Sequence, residues 1–202
     1  MVVTVSNEYG SGALAVARRV ASDLGYEYVD EQLPVVVAKR LRVTREVAEA
    51  GEEAPRSLGA RFLSVLERAT PELAVSSAES VDEELLRAVQ EAVREYASHG
   101  NVVIVGRGAS AILGARPEVV RVFLHASREW RIARLAATTG TRPETAEAEI
   151  DRIDRARSTY LRACYGLEFG DPRNYDLCID ASQFDASGCA ALIAAAIRAR
   201  GS

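Results

Sequence analysis

The chain begins with a short apolar run, a loop with two glycines and the start of a helix. Residues 2–5 read Val-Val-Thr-Val, which is typical of a strand buried inside a sheet. Gly10 and Gly12 follow in a loop, and from Ala13 apolar residues recur at helical spacing until Gly25. Such a unit directs backbone N–H groups and the positive end of the helix dipole to one point, which suits an anion. An ordinary strand-to-helix turn is the alternative interpretation.

The glycine loop matches two nucleotide-binding patterns. In the phosphate-binding pattern G-x-x-x-x-G-K-[ST], Gly12 is the last glycine, but Ala13 and Leu14 replace the lysine and the hydroxyl residue. The dinucleotide pattern G-x-G-x-x-A matches residues 10–15 completely, and Asp30 follows about twenty residues after its first glycine. The rest of the chain therefore has to decide between the two patterns.

Further apolar runs alternate with helical patterns along the 202 residues. This alternation predicts an α/β fold with a parallel five-stranded sheet and helices on both of its faces. Ligands of such sheets bind beyond the carboxyl ends of the strands, so the glycine loop lies at the expected ligand edge. The predicted strands are residues 2–5, 26–29, 102–105, 119–124 and 175–179.

Charge and cysteine usage restrict the class of protein. A net charge of −4 argues against a protein that binds nucleic-acid polymers. Cys164, Cys178 and Cys189 are odd in number and lack metal-type spacing, so we expect reduced thiols in a cytoplasmic protein. No apolar run has the length of a membrane span or the flanks of a signal peptide, so no membrane association is expected.

A second glycine loop follows the predicted strand 102–105. Here Arg107 stands between Gly106 and Gly108. Glycines allow a ligand to approach the backbone closely, and an arginine binds phosphate through paired hydrogen bonds. The interpretation is a phosphate-binding arginine at the ligand edge, with a surface arginine in a glycine turn as the alternative.

A charged segment near the C-terminal third forms the last candidate group. Asp151, Asp154 and Arg157 share one face of a predicted helix. Further arginines nearby are Arg152 and Arg155 on the same helix and Arg131 and Arg134 on the preceding one. Such a cluster is able to hold a polyphosphate when an overhanging segment closes. It is equally typical of a solvated helix surface with salt bridges.

Taken in order, these motifs resemble nucleoside monophosphate kinases of the cytidylate kinase-like family, which is related to bacterial cytidylate kinase. The resemblance extends over nearly the whole chain, although residues 31–98 match loosely. Shorter matches are Tyr28-x-Asp30 and Asp154-x-x-Arg157-x-x-Tyr160. Longer matching stretches are 8–12 (EYGSG), 103–109 (VIVGRGA), 122–126 (VFLHA), 170–172 (GDP) and 174–180 (NYDLCID).

The resemblance implies a P-loop kinase fold, a three-layer sandwich in which residues 1–202 form a single domain. It implies a helical monophosphate-binding insertion at 31–79 and a lid at 141–173. It further implies phosphoryl transfer from ATP, with Mg²⁺ on the donor phosphates, to CMP or a related pyrimidine monophosphate. The expected partners are small-molecule nucleotides.

Residue roles also follow from the resemblance. Asp30, Arg107 and Gly108 are expected to bind the acceptor. The expected catalytic residues are Arg131, Asp154, Arg155 and Arg157. The loop that would hold the donor phosphates consists of Gly10, Ser11, Gly12, Ala13 and Leu14.

The chain departs from its family in that loop. Related members commonly read S-R-E-Y-G-S-G-G-R-E, whereas Asn7 and Leu14 replace both arginines here, so the loop contains no cation. Val105 and Gly106 also provide no carboxylate for a metal. A kinase-fold protein that binds nucleotides with little or no catalysis is therefore an alternative. A NAD-binding Rossmann protein is a third possibility, based on the G-x-G-x-x-A match alone.

Overall fold

The computed structural model describes residues 1–30 and 83–200, and the account below is restricted to them. The predicted monophosphate-binding insertion at 31–79 lies outside the described residues. Within the described ranges, no helix combines the length and the apolar character that a membrane span requires.

Five parallel strands form one sheet in the order β2-β3-β1-β4-β5. The predicted α/β class and parallel sheet are therefore confirmed. Their buried apolar residues explain why the strands read as continuous apolar runs rather than as alternating ones. The strands are β1 (Val2–Asn7), β2 (Glu27–Val29), β3 (Val102–Val105), β4 (Val119–His125) and β5 (Leu177–Asp180).

The last strand begins two residues later than predicted. Tyr175 leaves the sheet edge and stacks on Phe123, with ring centroids 4.8 Å apart. The carboxylate of Asp176 accepts a hydrogen bond from the backbone N–H of Arg121 at 2.8 Å. The backbone N–H of Asp176 also donates to the Arg121 carbonyl at 2.8 Å, and the paired register with β4 begins at Leu177.

Helices cover both faces of the sheet. One face packs against α1 and α6 through a core that includes Val3, Val103 and Ile193, and the other packs against α2 and α3 through Ile104 and Val89. Alternate residues of each central strand thus enter opposite cores. The helices are α1 (Ala13–Leu24), α2 (Glu83–His99), α3 (Ala109–Leu113), α4 (Arg128–Thr139), α5 (Pro143–Tyr165) and α6 (Ala186–Arg200).

The α4–α5 pair has a small core of its own. Leu135 of α4 packs against Ala146 and Ile150 of α5 in a cluster separate from the two cores of the sheet. Arg128 adds exposed ion pairs across the same contact. The charged segment predicted from sequence is one helix of 23 residues, and it makes up most of the proposed lid.

The strand order contradicts the dinucleotide alternative. In the dinucleotide fold β2 lies next to β1, which brings its acidic residue close to the glycine loop. Here β3 lies between β1 and β2. Asp30, at the end of β2, is therefore two strand spacings, or about 10 Å, from the loop that follows β1.

Candidate functional site

The first glycine loop connects β1 to α1 and is shaped by two left-handed glycines. Gly10 has φ +85° and Gly12 has φ +86°. Gly12 is the N-cap of α1 and provides no side chain to cap it. The first N–H groups of a helix have no acceptor inside it, so an anion at this end is able to accept from them. Ser11 is buried beneath the loop.

Arg131 and Asp154 hold this loop from outside. One carboxylate oxygen of Asp154 accepts from the Tyr9 backbone N–H at 2.8 Å, and the other accepts from Arg131 Nη1 at 2.6 Å. The same Nη1 donates to the Tyr9 carbonyl at 3.0 Å. Arg131, with 7% of its surface exposed, is thus buried against the loop together with its counter-ion. The sequence placed both residues in the site, and their catalytic role stays a prediction.

A second carboxylate completes this arrangement. Glu8 lies 3.4 Å from Arg131 Nε, and its Oε2 accepts from the backbone N–H of Ala126 at 3.1 Å. Arg131 Nε in turn donates to the Ala126 carbonyl at 3.2 Å. The charge of Arg131 is therefore balanced by two carboxylates, which suits a residue that positions the loop.

Arg157 also reaches the loop, whereas Arg155 does not. Arg157 Nη1 donates to the Asn7 carbonyl at 2.7 Å, and its Cζ lies 5.8 Å from the centroid of the Tyr9 ring. Arg155 is exposed on α5, and within the described residues no hydrogen bond or ion pair links it to the loop. Of the predicted lid arginines, Arg131 and Arg157 are brought to the site.

Tyr9 ties the loop to α5 through its side chain as well. Its hydroxyl donates to Glu149 Oε1 at 3.2 Å. Burial, followed by the nearby negative charge of Glu149, raises the pKa of Tyr9 above its usual value of 10.0. The loop and α5 are thus joined by backbone and side-chain hydrogen bonds.

Arg134 lies against the loop; sequence analysis placed it in the charged cluster with Arg131 but not among the expected catalytic residues. A Cβ atom at Gly12 would be 2.9 Å from Arg134 Nη2 and 3.0 Å from its Cζ. The guanidinium group is also 5.4 Å from the ring centroid of Trp130. The available signal was the spacing of three residues from Arg131, which places both arginines on the same side of α4.

The second glycine loop, residues 106–108, has an unusual backbone. Gly106, Arg107 and Gly108 all have positive φ values, and that of Arg107 is +59°. This conformation costs a side-chain-bearing residue roughly 1–2 kcal/mol, so it is maintained by surrounding structure. Arg107 is buried, with 6% of its surface exposed. Its position at the carboxyl end of β3 agrees with the prediction from sequence.

The C-terminal turns of α5 pack on the second loop. A Cβ atom at Gly108 would be 2.9 Å from Tyr165 Cε2 and 3.2 Å from Tyr160 Cε1. The hydroxyls of the two tyrosines lie 3.2 Å apart, within hydrogen-bonding distance. The third residue of the loop therefore has to be small for the aromatic pair to pack there.

The end of β1 and the second glycine loop line a cleft at the carboxyl edge of the sheet. Phe169 closes one side and packs edge-on against Phe123, with ring centroids 5.6 Å apart. Of the predicted site residues, Gly108 and Arg157 line this cleft, whereas Arg107 and the predicted donor loop, residues 10–14, do not. Its lining residues are Ser6, Asn7, Gly106, Gly108, Arg157, Leu161 and Phe169.

Asp30 is not among the residues that line this cleft. Its Oδ2 accepts a hydrogen bond from the Tyr28 hydroxyl at 3.2 Å. Burial, together with the charge of Asp30, raises the pKa of Tyr28 to about 12. The predicted contact of Asp30 with the acceptor stays a prediction.

The described residues do not fit a protein-held Mg²⁺. They contain no group of three or more His, Cys, Asp or Glu side chains with metal-binding geometry. Glu8 and Asp154 are already engaged by Arg131, and Leu14 stands where the phosphate-binding pattern has a hydroxyl ligand. Mg²⁺ that accompanies a nucleotide would have to rely on phosphate oxygens and water among its ligands.

Comparison with known proteins agrees with this geometry. A sequence model described as the cytidylate kinase-like family matches residues 2–183. The chain belongs to this family. A cytidylate kinase of Methanothrix thermoacetophila is 26% identical over 201 residues, covering 98% of this chain and 99% of the relative. The resemblance predicted from the ordered motifs is therefore confirmed.

Solved structures confirm the fold of this family member. A protein of Eubacterium ventriosum described as uncharacterized superposes with a TM-score of 0.71 at 21% identity, covering 98% of both chains. A shikimate kinase of Bacteroides thetaiotaomicron gives a TM-score of 0.55 at 14% identity, also covering 98% of both chains. The predicted P-loop kinase fold is thus confirmed, and at these identities the likeness concerns the fold alone.

Proposed function

We propose that this protein transfers a phosphoryl group from ATP to a nucleoside monophosphate, with CMP or a related pyrimidine nucleotide as the acceptor. One observation carries the proposal: two glycine loops follow the neighbouring strands β1 and β3 at the carboxyl edge of the sheet, and the second holds a buried arginine in a strained conformation. The match to the cytidylate kinase-like family supports this reaction class.

The donor phosphates would bind along Gly10, Ser11, Gly12, Ala13 and Leu14. Backbone N–H groups at the start of α1 would donate hydrogen bonds to the phosphate oxygens there. Phosphoryl transfer requires mainly that the two nucleotides be aligned and that negative charge on the equatorial oxygens be neutralised. Arg157 contributes to that neutralisation from α5, where it already contacts the carbonyl of Asn7.

The acceptor phosphate would bind Arg107 and the backbone of Gly108. Arg107 is held close to the cleft by its own backbone conformation, so little side-chain entropy would be lost on binding. Asp30 is proposed to contact the acceptor nucleoside, and residues 31–79 are proposed to form the monophosphate-binding insertion. These assignments extend the family resemblance to individual residues.

Residues 141–173 are proposed to act as the lid. In this structure α5 lies against both loops, through Asp154 at the first and Tyr165 at the second. A lid in this position would exclude water from the donor phosphates and so suppress ATP hydrolysis. Arg155, which is exposed on α5, would join the site only if this helix shifts or rotates.

A nucleotide-binding protein without catalysis is the second candidate. It is supported by the first loop, which has no lysine or arginine and carries Leu14 with 47% of its surface exposed. Loss of one donor to a transition-state oxyanion lowers the rate by about 10²–10³-fold. A loop without a cation is thus compatible with binding that exceeds catalysis.

A coupled assay with ATP, a divalent cation and each common nucleoside monophosphate tests the proposal. We expect transfer to CMP or a related pyrimidine nucleotide. Arg157→Ala should lower kcat by about 10²-fold with little change in ATP affinity, because its charge acts mainly in the transition state. Arg152→Ala, an exposed arginine on the same helix, is the matched control and should behave like wild type.

Three outcomes separate the alternatives. Nucleotide binding without transfer to any acceptor would favour the binding protein. Thermal stabilisation by NAD but not by nucleotides would contradict both proposals. Transfer that persists undiminished in Arg157→Ala would leave the reaction intact and remove Arg157 from it.

A further inference from the structure

The last helix, α6, has an apolar side that faces solvent. Residues 186–197 contain no charged side chain. By contrast, α1, which shares a core with α6, exposes Arg18, Arg19 and Asp23. A helix on the outside of a globular protein is normally polar on its outer side, and a helix that is apolar all round is normally buried. The outer side of α6 therefore has the character of a surface that another molecule covers.

Two large apolar side chains lie on this side of the molecule. Phe184, just before the helix, is 47% exposed, and Leu192 is 39% exposed. The Phe184 ring lies beside Gly188, where a Cβ atom would be 3.6 Å from its Cδ1. Gly188 and Leu192 are one helical turn apart, so the three residues form one continuous apolar area. Together with the exposed Ala191 and Ala195, they make up what we call the α6 surface.

We propose that the α6 surface binds a second copy of this chain, with the two α6 helices antiparallel. The surface is self-complementary about the midpoint between Ala191 and Leu192. A twofold axis at this midpoint places Gly188 opposite Ala195 of the second copy, and Ala191 opposite its Leu192. Each leucine thus faces an alanine, and the small residues on either side allow the two helices to approach closely. This inference goes beyond the proposed function and does not depend on it.

Charge complementarity at the ends of the helix supports a second copy as the partner. The charged residues that border the apolar segment are Asp185 before it and Arg198 after it, and both are exposed. The same twofold axis brings Asp185 of each copy to the level of Arg198 of the other, so that opposite charges approach each other at both ends. Antiparallel packing also places the positive end of each helix dipole beside the negative end of the other. A parallel pair would instead bring like charges together.

The size of the contact sets the expected strength of the dimer. With 15 residues, α6 is about 22 Å long at about 1.5 Å per residue. One pair of helices of this length buries less surface than a stable protein complex typically does. We therefore expect a dimer that dissociates on dilution, with a Kd on the order of micromolar or weaker.

Sedimentation velocity over a concentration series tests the inference on the full chain. Wild type should change from monomer to dimer as the concentration rises. Ala195→Glu should raise the Kd of the dimer by at least about tenfold, because each dimer would then bury two unpaired carboxylates. Ala137→Glu makes the same change at an exposed position of α4 and is the matched control, which should dimerise like wild type.

Asp185→Asn and Arg198→Gln test the pairing of charges. Asparagine can still accept the hydrogen bond that Asp185 Oδ1 accepts from the Gly188 N–H at 2.7 Å, so the start of α6 is retained. Each variant should raise the Kd of the dimer severalfold. The double variant should raise it by less than the product of the two single effects, because the residues interact across the interface. An effect equal to that product would contradict the antiparallel arrangement.

Cysteine variants in a Cys178→Ser background determine the direction of the helices. Cys178 is exposed in wild type, and its removal avoids cross-links at that position. Ala191→Cys should form a disulfide-linked dimer on mild oxidation, since residue 191 lies beside its own symmetry mate. Ala195→Cys should not, because antiparallel helices separate the two copies of residue 195 by about 10 Å along the helix axis.

Three results would overturn the inference. The first is a wild-type chain that is monomeric at every concentration. The second is a dimer whose Kd is the same in Ala195→Glu as in Ala137→Glu. The third is a disulfide-linked dimer of Ala195→Cys without one of Ala191→Cys. The coupled assay of wild type reports on the proposed function separately from all three.

Discussion

The two glycine loops at the carboxyl edge of the sheet obtain their positive charge in different ways. The loop after β3 carries its own arginine, Arg107, in a left-handed conformation. The loop after β1 has none and is contacted by Arg131 and Arg134 of α4 and Arg157 of α5. The position of the positive charge at the second loop thus depends on local backbone geometry. At the first loop it depends on how two helices that are distant in sequence pack against the loop.

One helix contacts both loops. Asp154 of α5 binds the first loop, and Tyr165, eleven residues later, packs on the second. At 1.5 Å per residue these contacts are about 16 Å apart along the helix axis. A variant that alters only one loop therefore shows how much of the stability and binding at that loop comes from the loop itself. What remains comes from its contact with α5.

The largest effect is expected when the buried ion pair at the first loop is broken. Arg131→Met should lower the free energy of unfolding by up to about 3 kcal/mol, because Asp154 then remains part-buried without its counter-ion. For a chain of this size this corresponds to a decrease in Tm of roughly 6–12 °C. Arg131→Met/Asp154→Asn should be less destabilised than Arg131→Met, since asparagine still accepts from the Tyr9 N–H.

Arg128→Met is the control for that experiment. Arg128 is on the same helix, but its side chain is 41% exposed in its ion pairs with Glu147 and Asp151. Its removal should change the free energy of unfolding little, because solvent screens an exposed ion pair. Equal losses for Arg128→Met and Arg131→Met in urea titrations would show that the first loop gains no stability from burial of its arginine.

A smaller effect is expected for Arg107 and should appear in binding. Arg107→Gln should weaken acceptor monophosphate binding by roughly 1.5–3 kcal/mol, the range for hydrogen bonds to charged groups. Affinity for tripolyphosphate should be retained, because the first loop is unaltered. Calorimetry with both ligands checks this, and parallel loss of both affinities would indicate that the loops form one site rather than two.

Gly108→Ala tests how tightly α5 covers the second loop. Gly140→Ala is the matched control: its φ of +68° and ψ of 20° match the +68° and 17° of Gly108, but a Cβ atom there would contact nothing within 4 Å. Both variants incur backbone strain of roughly 1 kcal/mol. Gly108→Ala should be destabilised by about 1 kcal/mol more, since Tyr165 has to move. Equal Tm values for the two variants would contradict this packing.

The smallest effect concerns the stability of the first loop at alkaline pH. The pKa of Tyr9 is raised in the folded protein, mainly by burial. Its contribution to stability is therefore complete below about pH 10 and is lost as the pH rises through the folded pKa. Tyr9→Phe should lose less stability than wild type between about pH 9 and about pH 11, and identical slopes would exclude this contribution.

Sequence alone predicted much of this fold for a simple reason. Central strands of a parallel sheet are buried on both faces, so they appear as apolar runs, and helices that cover the sheet keep a helical period. The last strand was placed two residues too early because Tyr175 and Asp176 resemble strand residues and yet bind β4 through their side chains. Side-chain contacts of this kind do not change the periodic pattern of apolar residues, so the sequence does not show them.

The candidate site was predictable to the extent that it is local. Arg107 is flanked by the glycines that set its conformation, so these three adjacent residues are enough to predict it as a site residue. The position of Arg134 beside Gly12 arises from the packing of α4 on the first loop, across more than a hundred residues of chain. The helical spacing of Asp151, Asp154 and Arg157 gave their common face correctly, but not their individual partners.

The small core between α4 and α5 has a consequence for hydrogen exchange. Leu135, Ala146 and Ile150 bury far less apolar surface than the two cores of the sheet, so we expect the amides of α5 to exchange through local openings of low free energy. Each such opening releases the Tyr9 N–H from Asp154 and uncovers Gly108 at the same time. Local unfolding of one helix would then expose both loops to solvent as a single event, with the strands of the sheet still protected.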